Sequence, residues 1–592
     1  MPAQATRVTA SLFRRPLKRD EMLPEFKAVR RDPAAAPRKP FVRRLLAAAE
    51  RAVERFPSIP DTTYTLWHEY GRTGVRRNYD RVQHAKRTAL GCAAVLALFR
   101  REPRWIDRVH DYTWSICEET NWVPPEHMGS YPIDLFSAET GFQLAEMAHL
   151  LGGLLDQELV DRIRDEVERR ILAPYLRKVY GWFDGHNNWT GVCESSVGAA
   201  FLYLEKDPVR LARAINRVLS GLDRFRRRAF LADGGSSEGV GYWQYGLINT
   251  VAFSEQLRLR TRGRVDVLGH EKFKQIARYP GAALVAPGVY YHCSDCHGRA
   301  SFAPGFIARL AERTGVDELK AFLNRRSISI GPNRFAHMIR TILWWDGRTH
   351  RLPTITDRLL PDTAVARLVC PRHKLVLMAK AGHNAENHNH NDVGSFALYV
   401  AGEPVLCDPG CGLYDGRYFG PHRYENPVCG SSGHSVPVIA GRQQEFGADH
   451  CGTIEAFDAA GPVKRLELEF AKAYGLRSLR RLDRSILLHA RGRDAGRLVL
   501  EDAFTFAGKA GRIQEAFVTW GRVSARGGRA TVRAATGTLV LRVIEPARAA
   551  FRVEEIPVML AGETEPTTLR RLACSLPKGA GRFRMEIVPA TP

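Results

Sequence analysis

A change of rhythm near residue 353 constrains this chain more than any other feature. Between about residues 40 and 343, apolar residues recur at helical spacing, in stretches parted by polar loops that carry Gly, Pro, Asn and Asp. In 81–101, for example, Ala89, Cys92, Val95, Leu96 and Phe99 fall at helical spacing. Beyond the linker Pro353-Thr354-Ile355-Thr356-Asp357, short β-branched and aromatic runs recur between turn signals, among them 366–369, 375–378, 395–400, 513–518 and 538–543. Alternating helix and loop suits a toroid of helical hairpins, and closely spaced strands suit an antiparallel sandwich. The fold class expected is multidomain α+β. An extended basic lead-in spans 1–40, a helical toroid 41–352 and a β-sandwich domain 353–592.

At 592 residues the chain exceeds what one core usually organises. The net charge of +23 reads either as a preference for arginine or as the mark of an anionic partner. The arginines are spread along the chain, and no nucleic-acid motif of the usual kinds accompanies them. No apolar run is long enough to span a membrane, and no apolar segment follows Arg14-Arg15 as in a signal peptide. The expected location is the cytoplasm, or the periplasm if the start site is misassigned. The 11 cysteines lack framework spacing and read as buried thiols. The exception is Cys293-Ser294-Asp295-Cys296 between His292 and His297, a pair that could hold zinc or act as a redox couple.

Chemistry concentrates in Asn387-His388-Asn389-His390-Asn391-Asp392, followed by Asp408-Pro409-Gly410 and Gly433-His434-Ser435. If 388–392 is extended, His388, His390 and Asp392 share one face. With Asp408 and His434 they could fill a zinc coordination sphere and leave one group free for chemistry, or they could be hydrogen-bonded loop residues without metal. The helical half offers two polar clusters before helices. One is Asp184-Gly185-His186-Asn187-Asn188-Trp189. The other runs from Asp233-Gly234-Gly235 through Glu238 to Tyr242-Trp243-Gln244-Tyr245. Each could equally be helix caps, turns and core tyrosines.

Taken together and in this order, these motifs resemble the heparinase II/III-like polysaccharide lyases, over about residues 60–460. The resemblance implies an incomplete (α/α) toroid followed by antiparallel β-sheets, and β-elimination on a uronate-containing polysaccharide such as a glycosaminoglycan or alginate. It implies that Asn188 neutralises the substrate carboxylate, that Tyr242, 54 positions on, transfers protons, and that His388 is the β-domain histidine of the site. It implies a structural Zn2+ held by His390, Asp408 and His434. Some relatives carry a histidine where this chain has Asn188, and a glutamate where it has Gly191, so an asparagine-type lyase is implied. Either Tyr242 or His388 could be the base. Asn187, Glu238, Tyr245, His383, Arg423 and Tyr424 are expected to contact substrate, with His422 and Tyr418 further candidates. Two other readings stay open. One is a non-catalytic protein that binds or assembles anionic glycans. The other is a hydrolase using zinc-bound water.

Overall fold

A computed structural model describes residues 7–324, 326–327 and 330–590. The chain divides into two compact units. One comprises Met1–Phe230, Tyr242–Arg278 and Ser301–Leu352, and the other Leu231–Gly241, Tyr279–Ala300 and Pro353–Pro592.

The helical unit sorts its helices by how their apolar residues are arranged. Arg77–Arg100, Leu135–Leu151 and Asn188–Leu204 are buried almost all round over most of their length. Pro40–Glu54, Pro103–Cys117, Gln157–Val167 and Pro208–Arg228 each carry one apolar stripe and a charged opposite face. Helices apolar all round must lie inside, and striped ones must cover them. Pro40–Glu54 and Pro103–Cys117 accordingly pack on Arg77–Arg100, Gln157–Val167 on Leu135–Leu151, and Pro208–Arg228 on Asn188–Leu204. The inner helices Leu135–Leu151 and Asn188–Leu204 also pack on one another. Charges inside this ring are paired: Arg340 binds Glu146 at 2.7 and 2.9 Å, with both side chains buried.

Three expectations need correction here. The lead-in is not extended. It contains short helical turns at Ala10–Leu12, Phe26–Arg31 and Ala36–Arg38, and buries Val8, Phe13, Met22, Leu23, Phe26 and Val29. Its first six residues lie outside the described ones. Asn216 fixes Val8 by accepting from its N–H at 2.9 Å and donating to its carbonyl at 2.8 Å. The helix expected over 157–179 passes through a π turn at Glu168–Leu172 and ends at Arg177. The helix Tyr64–Thr73 was not foreseen, although Tyr64, Trp67 and Tyr70 recur at helical spacing; none of its residues is buried.

The second unit is antiparallel throughout. A nine-stranded sheet runs, in spatial order, Arg522–Arg526, Arg529–Arg533, Thr538–Glu545, Arg582–Pro589, Leu498–Phe506, Leu479–His489, Val463–Glu469, Gly447–Asp458 and Gly382–Asn384. A five-stranded sheet (Arg358–Leu360, Val365–Cys370, Leu375–Lys380, Phe396–Val400, Glu403–Leu406), a four-stranded one (Phe551–Val558, Thr567–Ser575, Ile513–Thr519, Val438–Ile439) and the hairpin Leu284–Ala286 with Val289–Tyr290 accompany it. Leu377 and Phe396, Leu466 and Ile486, and Phe517 and Leu572, drawn from the five-, nine- and four-stranded sheets, belong to one apolar cluster. That is the core of a sandwich.

Candidate active site

The histidine-rich stretch is a loop and not a strand. The strand Gly382–Asn384 ends before it, and Phe396–Val400 begins after it in a different sheet. His388 adopts the left-handed region with φ 55°, which breaks the alternation that would align His388, His390 and Asp392. Asp392 instead turns to the buried Lys380, at 2.8 Å. Gly394 has φ 87°, and a Cβ there would meet the Phe470 ring at 2.7 Å, so the motif needs glycine at this turn.

Outside the sheets, the loop satisfies its backbone partly through other backbone groups, such as Asn391 N–H on Cys429 C=O at 2.8 Å, and partly through side chains. Gln444 accepts from Val393 N–H at 2.9 Å and donates to Val393 C=O at 2.6 Å. Ser431 donates to Asn391 C=O at 2.7 Å. Arg484, fully buried and paired with Asp502 at 2.8 and 2.6 Å, donates to Gly394 C=O at 2.8 Å and to Ser435 C=O at 2.7 Å. One guanidinium thus ties the loop of His390 to the residue after His434.

The centre of the arrangement is Asp295, the acidic residue inside the Cys293–Cys296 pair. Its buried carboxylate takes His388 Nδ1 at 2.8 Å, His390 Nε2 at 2.9 Å, Arg423 at 2.9 Å and the Tyr418 hydroxyl. Burial alone would raise its pKa. The hydrogen bonds from His388 and His390 and the charge of Arg423 overcome this and hold the carboxyl far below the usual range. A carboxylate on Nδ1 fixes the tautomer of His388 and directs its basic nitrogen, Nε2, outward. Glu238 Oε1 lies 3.6 Å from that Nε2. Sequence reasoning missed Asp295, whose one visible signal was the cluster of His, Cys and Asp around it. The two cysteines are free, buried thiols, pushed up by burial and to about 11 for Cys296.

Among the described residues two groups bring metal-type donors within 4.8 Å: His390 with Asp408 and His434, and Asp295 with His390 and Cys429. The first fits a metal better. His390 and His434 each engage Nε2, on Asp295 and on Val428 C=O (3.0 Å), and each leaves a buried Nδ1 without a hydrogen-bond partner. Asp408 Oδ2 lies 3.3 Å from His434 Nδ1, while its Oδ1 accepts from Gly410 N–H at 2.9 Å. Two imidazole nitrogens with outer partners and one carboxylate oxygen match a zinc-type donor set. In the second group Asp295 already has four partners, and burial pushes the Cys429 thiol up to about 12.

Residues 353–554 match the family model described as heparinase II/III-like, C-terminal. This part of the chain belongs to that family. Comparison with curated protein sequences returns no match. Solved structures with a similar fold include heparinase III, 13% identical, with a TM-score of 0.66 over 92% of this chain and 89% of that one. Heparan sulfate lyase HepC from Pedobacter heparinus is 13% identical, with a TM-score of 0.56 over 97% and 93%. Streptomyces coelicolor A3 chondroitin AC lyase, solved with chondroitin sulphate, is 12% identical, with a TM-score of 0.55 over 97% and 83%. At these identities the likeness is one of fold: a helical toroid followed by antiparallel β-sheets.

The heparinase II/III-like stretch contains His388, His390, Asp408 and His434. Asp295 and Glu238 join them from the segments Tyr279–Ala300 and Leu231–Gly241. Several residues expected to touch substrate serve this domain's own structure. Arg423 binds Asp295, donates to Asn389 C=O at 3.1 and 3.0 Å, and covers the Tyr418 ring at 4.6 Å. Tyr418 is buried. His383 accepts from Ala385 N–H at 3.2 Å, and Asp233 secures its loop through Thr363 at 2.8 Å. Tyr424 stacks on Phe446 at 5.4 Å, and His422 is exposed beside Glu425 at 2.7 Å. In the helical unit, Asn187 caps the helix Asn188–Leu204 by accepting from Trp189 N–H at 3.1 Å. Asn188 opens that helix, is buried, and has an Oδ1 without a hydrogen-bond partner. Tyr242 is half-buried on the helix Gly239–Arg260, and Tyr245 donates to the buried Glu139 at 3.2 Å.

Proposed function

We propose that the protein is a polysaccharide lyase that cleaves an acidic, uronate-containing glycan by β-elimination. The observation that carries this reading is the His388–Asp295 pair, a histidine held in one tautomer by a buried carboxylate inside a heparinase II/III-like domain. The fold likeness to heparinase III, to a heparan sulfate lyase and to a chondroitin AC lyase supports the reaction class.

β-Elimination removes the proton at C5 of the uronate and expels the oxygen at C4. The adjacent carboxylate is already negative, so its charge must be offset as the enolate-like intermediate develops. Asn188 is assigned this task. Its amide donates whatever the pH, and the first turn of a helix favours negative charge. A preorganised donor of this kind contributes roughly 3–4 kcal/mol to the transition state. Tyr242 and His388 are assigned the proton transfers. Which of them takes the C5 proton follows from whether that proton and the C4 oxygen lie on one face of the sugar. When His388 takes a proton at Nε2, Asp295 and Glu238 stabilise the imidazolium. His390, Asp408 and His434 would hold a Zn2+ whose contribution is structural, joining three loop segments and fixing the loop of His388.

The test is the ultraviolet absorbance of unsaturated uronate released from heparan sulfate, chondroitin, hyaluronan or alginate. Absorbance with at least one polymer, lost in Tyr242→Phe and in His388→Ala, is expected. No absorbance with any of them, or a Tyr242→Phe variant as active as the parent, overturns the reading.

A further inference from the structure

Two adjoining cavities in the helical unit run against the charge of the protein around them. The first, of about 730 Å³, has walls that include Tyr64, Trp67, Trp114, Asp61 and Glu118. The second, of about 550 Å³, shares Trp114 and adds Asp111, Asp156 and Glu158. Both fall within the roughly 300–1,000 Å³ typical of small-ligand sites. No lysine or arginine lines either one, although the chain carries a net charge of +23. Trp114 is 50% and Tyr64 73% exposed. No residue of the helix that presents Tyr64 and Trp67 is fully buried, and core packing does not explain the exposed Tyr64 ring.

We propose that this Trp114-centred surface binds a protonated amino sugar. The flat face of a pyranose stacks on an exposed aromatic ring, and an ammonium beside such a ring is attracted by its π face. Asp111, Asp156 and Glu158, on the walls around Trp114, supply the negative charge that selects an amine over an acetamide. The acids of the first cavity are offset by cations, the buried Lys86 facing Glu119 at 3.1 Å and Asp61 at 3.5 Å and Arg162 pairing with Glu118 at 3.0 Å, so the uncompensated charge lies on the second. Thr62, Thr63 and Ser115 on the same walls offer partners to sugar hydroxyls.

A run of contacts leads from the helix behind the cavity to the residue after Asn188. Arg76, at the start of the inner helix that carries Tyr79, binds Glu126 at 2.6 Å. His127, next in the chain, packs edge-on to Trp189 at 4.7 Å. The choice of a sugar over a cationic peptide rests on the lyase reading, while the binding itself does not depend on turnover.

The experiment is calorimetric titration of the full chain with the β-1,4-linked glucosamine trimer, its N-acetylated counterpart and trilysine. The amine trimer is expected to bind, with the acetylated trimer at least about tenfold weaker. Trp114→Ala and the pair Asp111→Asn/Glu158→Gln should each weaken binding about tenfold or more, with an unchanged melting temperature. Equal affinity for the two trimers, no binding of the amine trimer, or an unaffected Trp114→Ala overturns the proposal. Trilysine binding as tightly as the sugar also overturns it, in favour of a cationic peptide. Uronate cleavage is scored separately. A chain that cleaves uronate polymers without binding the amine trimer loses only this inference, and one that binds without cleaving loses only the lyase reading.

Discussion

Replacing Asp295 by asparagine preserves shape and removes one negative charge from the point where four groups converge. His388 and His390 lose a charged acceptor, and the Arg423 guanidinium, only 12% exposed, loses its acidic partner at 2.9 Å. Breaking a buried pair by removing one member costs about 3–5 kcal/mol, because the remaining charge stays buried. For a domain of this size each kcal/mol shifts the melting temperature by roughly 2–4 °C. Asp295→Asn should therefore melt about 6–20 °C lower. An asparagine on Nδ1 also permits the wrong tautomer of His388. Turnover should fall by about 10²–10⁴, the range for general acid–base groups, with a smaller change in KM. Calorimetry together with steady-state kinetics on a cleaved uronate polymer measures both. A variant with parental melting temperature and parental kcat would refute the assignment of Asp295 as the group that orients His388.

Asn188→Ala should lower kcat by about 10²–10³, the cost of losing one preorganised donor, without moving the melting temperature by more than a few degrees, as kinetics and calorimetry will show. Arg484→Met should cost several kcal/mol in denaturant unfolding, because it leaves Asp502 and the carbonyls of Gly394 and Ser435 unpartnered in the core. Metal analysis of the purified chain should find close to one zinc. Chelation or His434→Ala should lower the melting temperature of the parent, and chelation should do nothing further to the variant. Glu194, buried on the helix Asn188–Leu204 and accepting from Tyr175, is pushed up by burial to about 8. Its folded pKa lies above the unfolded value of 4.5, so its contribution is complete below about pH 4.5 and is lost as pH rises through about 8. That loss amounts to about 5 kcal/mol. Urea unfolding at pH 5 and pH 8 should show this slope in the parent and a flatter one in Glu194→Gln.

The two-part architecture was legible because each half announces itself locally. Helices such as Pro208–Arg228 carry their stripe in sequence, and strands such as Ile513–Thr519 carry their β-branched and aromatic residues. The helix Tyr64–Thr73 was missed although Tyr64, Trp67 and Tyr70 recur at helical spacing, since the stretch is short and buries none of its residues. The residues His388, His390, Asp408 and His434 could be picked out by type and spacing. What the sequence could not assign is direction. His390, Asp408 and His434 converge, whereas Asp392, on the same short run, pairs with Lys380, because the stretch bends through a left-handed residue and does not run as a strand. Asp295 lies more than 90 residues from both histidines it binds, inside a cysteine pair that suggests different chemistry. The hydrogen bonds of Arg423 to Asp295 and of Trp189 N–H to Asn187, which show what each also does within the protein, could not be read from sequence. Sequence by itself determined which chemical groups this protein has and roughly where each element begins. Only the tertiary structure decided which groups share a charge, because desolvation and hydrogen bonding act between residues that the chain keeps far apart.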